Sequence, residues 1–306
     1  MYSSIIVPLD GSVFGEYALP LALNIARRAE ISLDVVHVNV TLAPLYAERR
    51  PNLEIPNEKV SRRHAQKYLD DVVTHVKSLV SVKAHGTMLE GGVTETLQSF
   101  TEDRPDSLVV MTTHGRGPVS RFWLGSVTDQ FVRVTPAPLL LVHPGDGKPA
   151  LGSAPTLPHI LIPLDGSLLS EEVLEPAIAL GKLMNADYTL LRVVEPLYFV
   201  GQGALGDAPI AIDPGWLKEE EEVAKSYLER VANRLRERRL RVVTRVRDAA
   251  SVANAILDEA HAEGLSCLAV STHGRRGLVR MALGSVADKL IRGGTLPTLL
   301  FRPHTS

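Results

Sequence analysis

The chain has 306 residues, 45% apolar and 22% charged, proportions of a folded globular protein that exclude disorder, collagen and a pure coiled coil. Thirty-three Lys and Arg stand against 35 Asp and Glu, so the net charge of −2 lacks the basic excess of a general nucleic-acid binder. The 7 Tyr, 6 Phe and 2 Trp are too few for an obvious base-stacking surface, and the single cysteine, Cys267, excludes a disulfide scaffold and a Cys-rich zinc site.

Ile5–Leu9 is a short apolar run rich in β-branched residues and ended by Asp10-Gly11-Ser12, the pattern of a buried strand. No basic stretch precedes it, the run is too short for a signal peptide, and no segment approaches the roughly 20 apolar residues of a membrane span. The expectation is a cytoplasmic chain with no membrane partner. Ser12 reads as the N-cap of a helix through Ala29, kinked at Pro20. Leu33–Val40 reads as a strand, Lys59–Leu79 as a helix, Val82–Leu89 as a strand, Thr94–Thr101 as a helix and Ser107–Met111 as a strand. Ser126–Val134 reads as a helix and Leu139–Val142 as a strand, after which the Gly/Pro/Ser-rich run Gly145–Pro155 reads as a linker.

The order then repeats as His159–Leu164, Ser170–Met184 with Pro176 inside it, Tyr188–Val194, Leu217–Arg238, Arg241–Arg247, Ser251–Ala262, Ser266–Ser271, Ser285–Arg292 and Thr298–Arg302. The sequence itself repeats too. Val7-Pro8-Leu9-Asp10-Gly11-Ser12 returns as Ile162-Pro163-Leu164-Asp165-Gly166-Ser167, an offset of 155. Thr113-His114-Gly115-Arg116 returns as Thr272-His273-Gly274-Arg275, and Leu124-Gly125-Ser126-Val127 as Leu283-Gly284-Ser285-Val286, both at an offset of 159. A period this long is a whole domain, not a solenoid unit. The expected organisation is a first domain over 1–145, a linker over 146–157 and a second domain over 158–306.

Alternating strands and helices imply an α/β fold in each half: a five-stranded parallel sheet with helices on both faces. Ligands of such folds sit beyond the carboxyl ends of the strands, where strand order reverses, and both repeated polar motifs fall at such ends. Asp10 and Asp165 can accept hydrogen bonds from a ribose hydroxyl or a base amine; turn and cap chemistry alone explains the same residues. The second motif is Gly115, nine residues, then Gly125-Ser126-Val127, matched by Gly274, nine residues, then Gly284-Ser285-Val286. Two glycine loops and a helix start, with its free N–H groups and dipole, suit an anion such as phosphate. Arg116 and Arg275, and Arg121 and Arg280, stand between the glycines as phosphate neutralisers or as exposed loop charges. His114 and His273 have no evident third partner and read as loop-stabilising rather than catalytic. Gly201-Gln202-Gly203-Ala204-Leu205-Gly206 matches GxGxxG literally but precedes no helix and has no counterpart in the first half. The acidic run Glu219–Glu222 and the arginines 234, 236, 238 and 239 suit the dipole of one solvated helix. No metal cluster and no Ser/His/Asp set is visible, so catalytic residues are not assigned.

Pro-Leu-Asp-Gly-Ser at the first strand, a Val at the second, and His-Gly-x9-Gly-Ser-Val after the fourth resemble the universal stress protein family over both halves. The resemblance implies strand order 3-2-1-4-5 in each domain and binding of ATP or another adenine nucleotide, with Mg where phosphates need it. It places Asp10 and Val38, and Asp165 and Val193, on the adenine and ribose side, with Pro8 and Pro163 as further nucleotide-binding candidates. It places Thr112, Gly115, Arg116, Gly125, Ser126 and Val127, and Ser271, Gly274, Arg275, Gly284, Ser285 and Val286, toward ribose and phosphates. Thr112 and Ser271 replace the first glycine of the Gly-x2-Gly-x9-Gly-Ser/Thr pattern of the nucleotide-binding subgroup. The implied function is a nucleotide-responsive stress module acting through conformational or partner-binding changes. Two alternatives stay open: a nucleotide-free scaffold and a slow ATPase. The terminal strands Leu139–Val142 and Thr298–Phe301 invite pairing, as an intrachain pseudo-dimer of the two domains or as a homodimer.

Overall fold

The computed structural model of the chain describes residues 2–40, 58–79, 81–113, 124–145, 147–196, 198–201, 208–211, 214–262, 264–272 and 283–303. The first half runs β1 (Ser4–Pro8), a 3-10 turn (Gly15–Ala18), α1 (Leu19–Ala29), β2 (Ser32–Asn39), α2 (Glu58–Leu79), β3 (Ala84–Glu90), α3 (Val93–Glu102), β4 (Ser107–Thr112), α4 (Ser126–Val134) and β5 (Leu139–Val142). Its strands pair in parallel in the order β3-β2-β1-β4-β5, with Ile5 opposite Leu33 on one side and Leu108 on the other. The sequence dictates this order of burial. Ile5, Ile6 and Val7 have no exposed surface and β4 is buried throughout, as central strands covered by helices on both faces require. The outer strand β3 carries exposed His85 and Gly86.

The second half runs β6 (His159–Pro163), α5 (Leu168–Glu171), α6 (Leu174–Met184), β7 (Asp187–Val194), β8 (Tyr198–Gly201), β9 (Ala208–Ala211), α7 (Pro214–Glu237), β10 (Val242–Asp248), α8 (Val252–Ala262), β11 (Cys267–Ser271), α9 (Ser285–Gly293) and β12 (Thr298–Phe301). Parallel strands β10-β7-β6-β11 repeat the order 3-2-1-4. The chain divides into two compact units, one formed mainly by Met1–Thr156 and the other mainly by Leu157–Gly181 and Asn185–Leu296; Pro297–Arg302 groups with the first. The Pro-rich stretch between the halves is anchored: Asn24, 3% exposed on α1, donates from Nδ2 to the Pro155 carbonyl at 2.8 Å.

Two local readings of the sequence change. No helix starts at Ser12; a 3-10 turn intervenes, and α1 starts at Leu19 with Pro20 in its first turn. In the second half α5 ends at Glu171, α6 starts at Leu174, and Pro176 again sits in the first turn. Neither proline kinks a helix, because both occupy first-turn positions whose N–H groups would lack helical partners anyway. The second change is the antiparallel pair β8–β9, with Gly201 opposite Ala208. It puts the start of the literal GxGxxG on a hairpin strand rather than at a strand-to-helix turn; residues 202–207 lie outside the described residues.

Candidate functional site

In each half the first strand ends in an Asp-Gly-Ser turn. Ser12 donates from N and Oγ to Asp10 Oδ1 at 3.0 and 2.6 Å, and its Oγ accepts the Gly15 N–H at 3.2 Å. Ser167 does the same to Asp165 Oδ1 at 2.9 and 2.6 Å, and its Oγ accepts the Ser170 N–H at 3.2 Å. Gly11 and Gly166 adopt φ of +83° and +85°, a left-handed conformation that favours glycine. The turns differ at Gly15 and Ser170. A Cβ on Gly15 would stand 2.8 Å from Asp10 Oδ1, whereas the matched Ser170 turns its Oγ to accept the Asp165 N–H at 3.3 Å.

Neighbouring strands hold the turns in place. Leu9 and Leu164 donate to the carbonyls of Val36 and Leu191 at 2.8 Å each. The Leu9 carbonyl accepts from His37 Nδ1 at 2.8 Å; the Leu164 carbonyl accepts from Arg192 Nη1 at 3.3 Å. These matched residues have different charge chemistry: an imidazole in one half and a permanently charged guanidinium in the other. Val38 and Val193, the next residues on β2 and β7, are each 9% exposed, and Pro8 and Pro163 are half-buried.

Across the switch point stand β4 and β11. Thr112 is buried and Ser271 half-buried at their ends. The next residues, Thr113 and Thr272, accept the N–H groups of Gly125 and Gly284 at 2.8 Å each. Those glycines cap α4 and α9 with no side-chain hydrogen bond, and the first helical bond of each runs from Asp129 or Asp288 back to the glycine carbonyl. Ser126 and Ser285 are exposed and Val127 and Val286 half-buried, so the helix starts face outward. A Cβ on Gly284 would stand 2.9 Å from the Thr272 carbonyl oxygen, so this glycine clears the chain's own backbone. Thr128 Oγ1 donates to the Thr112 carbonyl at 3.1 Å; the matched residue is Ala287. Gly115, Arg116, Gly274 and Arg275, with His114, Arg121, His273 and Arg280, lie outside the described residues. Among the described residues no group of three His, Cys, Asp or Glu could hold a metal. No described helix is long and apolar enough to cross a membrane.

A second matched constellation was not read from the sequence. Tyr68 on α2 donates to Glu16 Oε1 at 3.0 Å, and Tyr227 on α7 donates to Glu171 Oε1 at 3.0 Å. Burial, then the nearby glutamate charge, pushes both phenols far above their ordinary value; the charges of Asp10 and Asp165 push in the same direction. The His37 ring meets Tyr68 edge-on at 6.2 Å between centroids. The signal was the offset itself: Glu16 to Glu171 is 155 and Tyr68 to Tyr227 is 159, the same two offsets as the motifs.

The duplicated parallel sheet of order 3-2-1-4, with polar turns at its switch point, defines a class of α/β proteins that place ligands beyond strand ends. The universal stress protein family model matches residues 1–143 and 157–302, so the chain belongs to that family and is a tandem, stress-response member of it. A universal stress protein of Mycolicibacterium smegmatis is 28% identical over 310 residues, covering 98% of this chain and 97% of its own. One of Mycobacterium tuberculosis is 27% identical over 306 residues, covering 97% and 96%. Among solved structures, a universal stress protein from Archaeoglobus fulgidus superposes with a TM-score of 0.66 at 17% identity, over 98% of this chain and 96% of that one. A protein from Pseudomonas aeruginosa PAO1 gives 0.65 at 14% identity, over 99% and 93%. At these identities the two structures show the fold.

Proposed function

We propose that the chain binds an adenine nucleotide (ATP, ADP or AMP) at the switch point of its halves and passes the bound state to a partner through the loops there. The observation that carries this reading is a matched convergence. In both halves an Asp turn ends one central strand, and an exposed helix start with no side-chain cap follows the strand beside it. Asp10 with Val38, and Asp165 with Val193, take the base and ribose side. The amides that open α4 and α9 at Ser126-Val127 and Ser285-Val286 take phosphate, and Mg accompanies the nucleotide. Gly115, Arg116, Gly274 and Arg275 complete the phosphate side in this reading, beside Thr112 and Ser271. Ligand binding then stabilises one loop arrangement over others.

A second reading is a nucleotide-free scaffold of the same fold. Its support is that Asp10, Asp165 and Gly284 each have a role inside the chain: the carboxylates close turns, and the glycine clears the Thr272 carbonyl. Mass spectrometry of small molecules released from freshly purified, denatured protein separates the two, together with thermal unfolding in millimolar nucleotide. The nucleotide reading expects a co-purifying adenine nucleotide, or about 2.7 kcal/mol of added stability at a hundred times Kd. Neither a released nucleotide nor a stability gain with ATP, ADP or AMP leaves the scaffold.

A further inference from the structure

We propose that Tyr68–Glu16 and Tyr227–Glu171 are positioning latches, each pinning a long crossover helix to the turn that presents Asp10 or Asp165. The partners are 52 and 56 residues apart, so each bond ties two separate elements together. Around them the halves differ. Gly15 is matched by Ser170, His37 by Arg192 and His75 by Arg234, yet the Tyr and the Glu recur with the same donor, acceptor and 3.0 Å distance. Filling of the core does not account for this, because the buried neighbours Leu69 and Leu228, at 0% exposure each, already seat the helices. The polar pair instead fixes one geometry. A phenol can donate to a carboxylate only while it is neutral, and both phenols stay neutral across the physiological range. Glu16 lies one residue beyond Gly15, whose amide closes the Asp10 turn, and Glu171 lies one residue beyond Ser170, which closes the Asp165 turn.

The latches are not equally strong. Arg234 also reaches Glu171 Oε2, and four residues on Arg238 holds Glu175. The first-half counterparts of these two arginines are His75 and Leu79. The first turn therefore depends more on its tyrosine than the second does. What the turns hold rests on the nucleotide reading above; the latch itself does not.

Hydrogen exchange on the full ligand-free chain tests it at the turn amides, over residues 10–18 and 165–173. Tyr68→Phe removes only the hydroxyl and is expected to speed exchange over 10–18 by about tenfold or more, the lower end of the worth of a hydrogen bond to a charged acceptor, with 165–173 unchanged. Tyr227→Phe is expected to speed exchange over 165–173 by less, because Arg234 still holds Glu171. Should Tyr68→Phe fail to fold, Glu16→Gln and Glu16→Ala serve: the amide keeps an acceptor for Tyr68 and should exchange like wild type, while alanine should exchange faster. Wild-type exchange over 10–18 in Tyr68→Phe, or equal exchange in the two Glu16 variants, overturns the latch. Titration of each protein with AMP is the second arm. Faster exchange in a chain whose wild type binds no nucleotide keeps the latch and removes the nucleotide reading; nucleotide binding with unchanged exchange does the reverse.

Discussion

Tyr68, Tyr188 and Tyr227 place phenols in desolvated surroundings, and burial is the first cause of the upward shift of each. Tyr188, 1% exposed with its hydroxyl donating toward the Ile178 carbonyl at 3.4 Å, is pushed up to about 12 from the ordinary 10.0. The sign of the linkage follows. Above pH 10 the unfolded chain releases phenolic protons that the folded chain still holds, so these groups stabilise the fold fully below that pH and progressively less above it. Urea unfolding between about pH 8 and about pH 11 should therefore show stability falling with pH, and the fall should be shallower in Tyr68→Phe and Tyr227→Phe. An alkaline slope unchanged by either substitution would show that the phenols titrate normally. These tyrosines mark where sequence reading ran out at this scale. The Asp turn was legible because its residues are contiguous and occur twice. A Tyr inside an apolar-periodic helix reads as core until topology brings a glutamate 52 residues away to its hydroxyl.

Elements were legible to different degrees. Central strands announce themselves through β-branched runs, and α4 begins at the Ser126 that follows a capping glycine. After β1 the helix starts at Leu19 rather than at Ser12, whereas after β6 Ser167 does cap the short α5; Pro20 and Pro176 fall in first turns, where proline is best tolerated. Helix-to-strand packing shows a subtler trade. On α6 a Cβ at Gly181 would stand 2.1 Å from the Tyr188 hydroxyl oxygen and 2.6 Å from Tyr188 Cζ, so the glycine makes room for the ring on β7. The matched first-half pair is Ala26 and Leu33, both fully buried. Volume removed from the helix is given to the strand. Gly181→Ala should then destabilise the protein by about 1–3 kcal/mol through overpacking, against the roughly 1 kcal/mol that helix propensity alone would return. Adding Tyr188→Leu, which recreates the first-half pair, should recover most of the loss. The check is a double-mutant cycle by urea denaturation; additive effects would show that the two positions do not share space.

At the scale of the whole molecule, the two halves agree where the strands carry the turns and diverge at the outer strand. By strand register Thr87 and Leu89 of the first half are matched by Arg245 and Arg247, and Phe100 is matched by Glu259. Glu259, with 1% side-chain exposure, accepts from Arg245 Nη1 at 2.8 Å and Arg247 Nε at 2.7 Å. A buried carboxylate with two cationic partners thus replaces a threonine, a leucine and a phenylalanine, and exchanging such a pair for uncharged packing is often near neutral for stability. Outer-strand chemistry differs while both halves keep the Asp turn and the glycine-capped helix start, so if nucleotide binds as proposed above, two sites per chain are expected. A charge placed at one helix start isolates each. Ser126→Asp and Ser285→Asp put a carboxylate where the helix dipole favours one, so the fold should hold or gain a few tenths of a kcal/mol, while a phosphate at the same amides is repelled. Calorimetric titration should count two nucleotides per wild-type chain, one for either variant and none for the double variant, with melting temperatures at or above wild type. If a single variant loses all binding, the sites are not independent; if the double variant binds as wild type does, phosphate is not held at these helix starts.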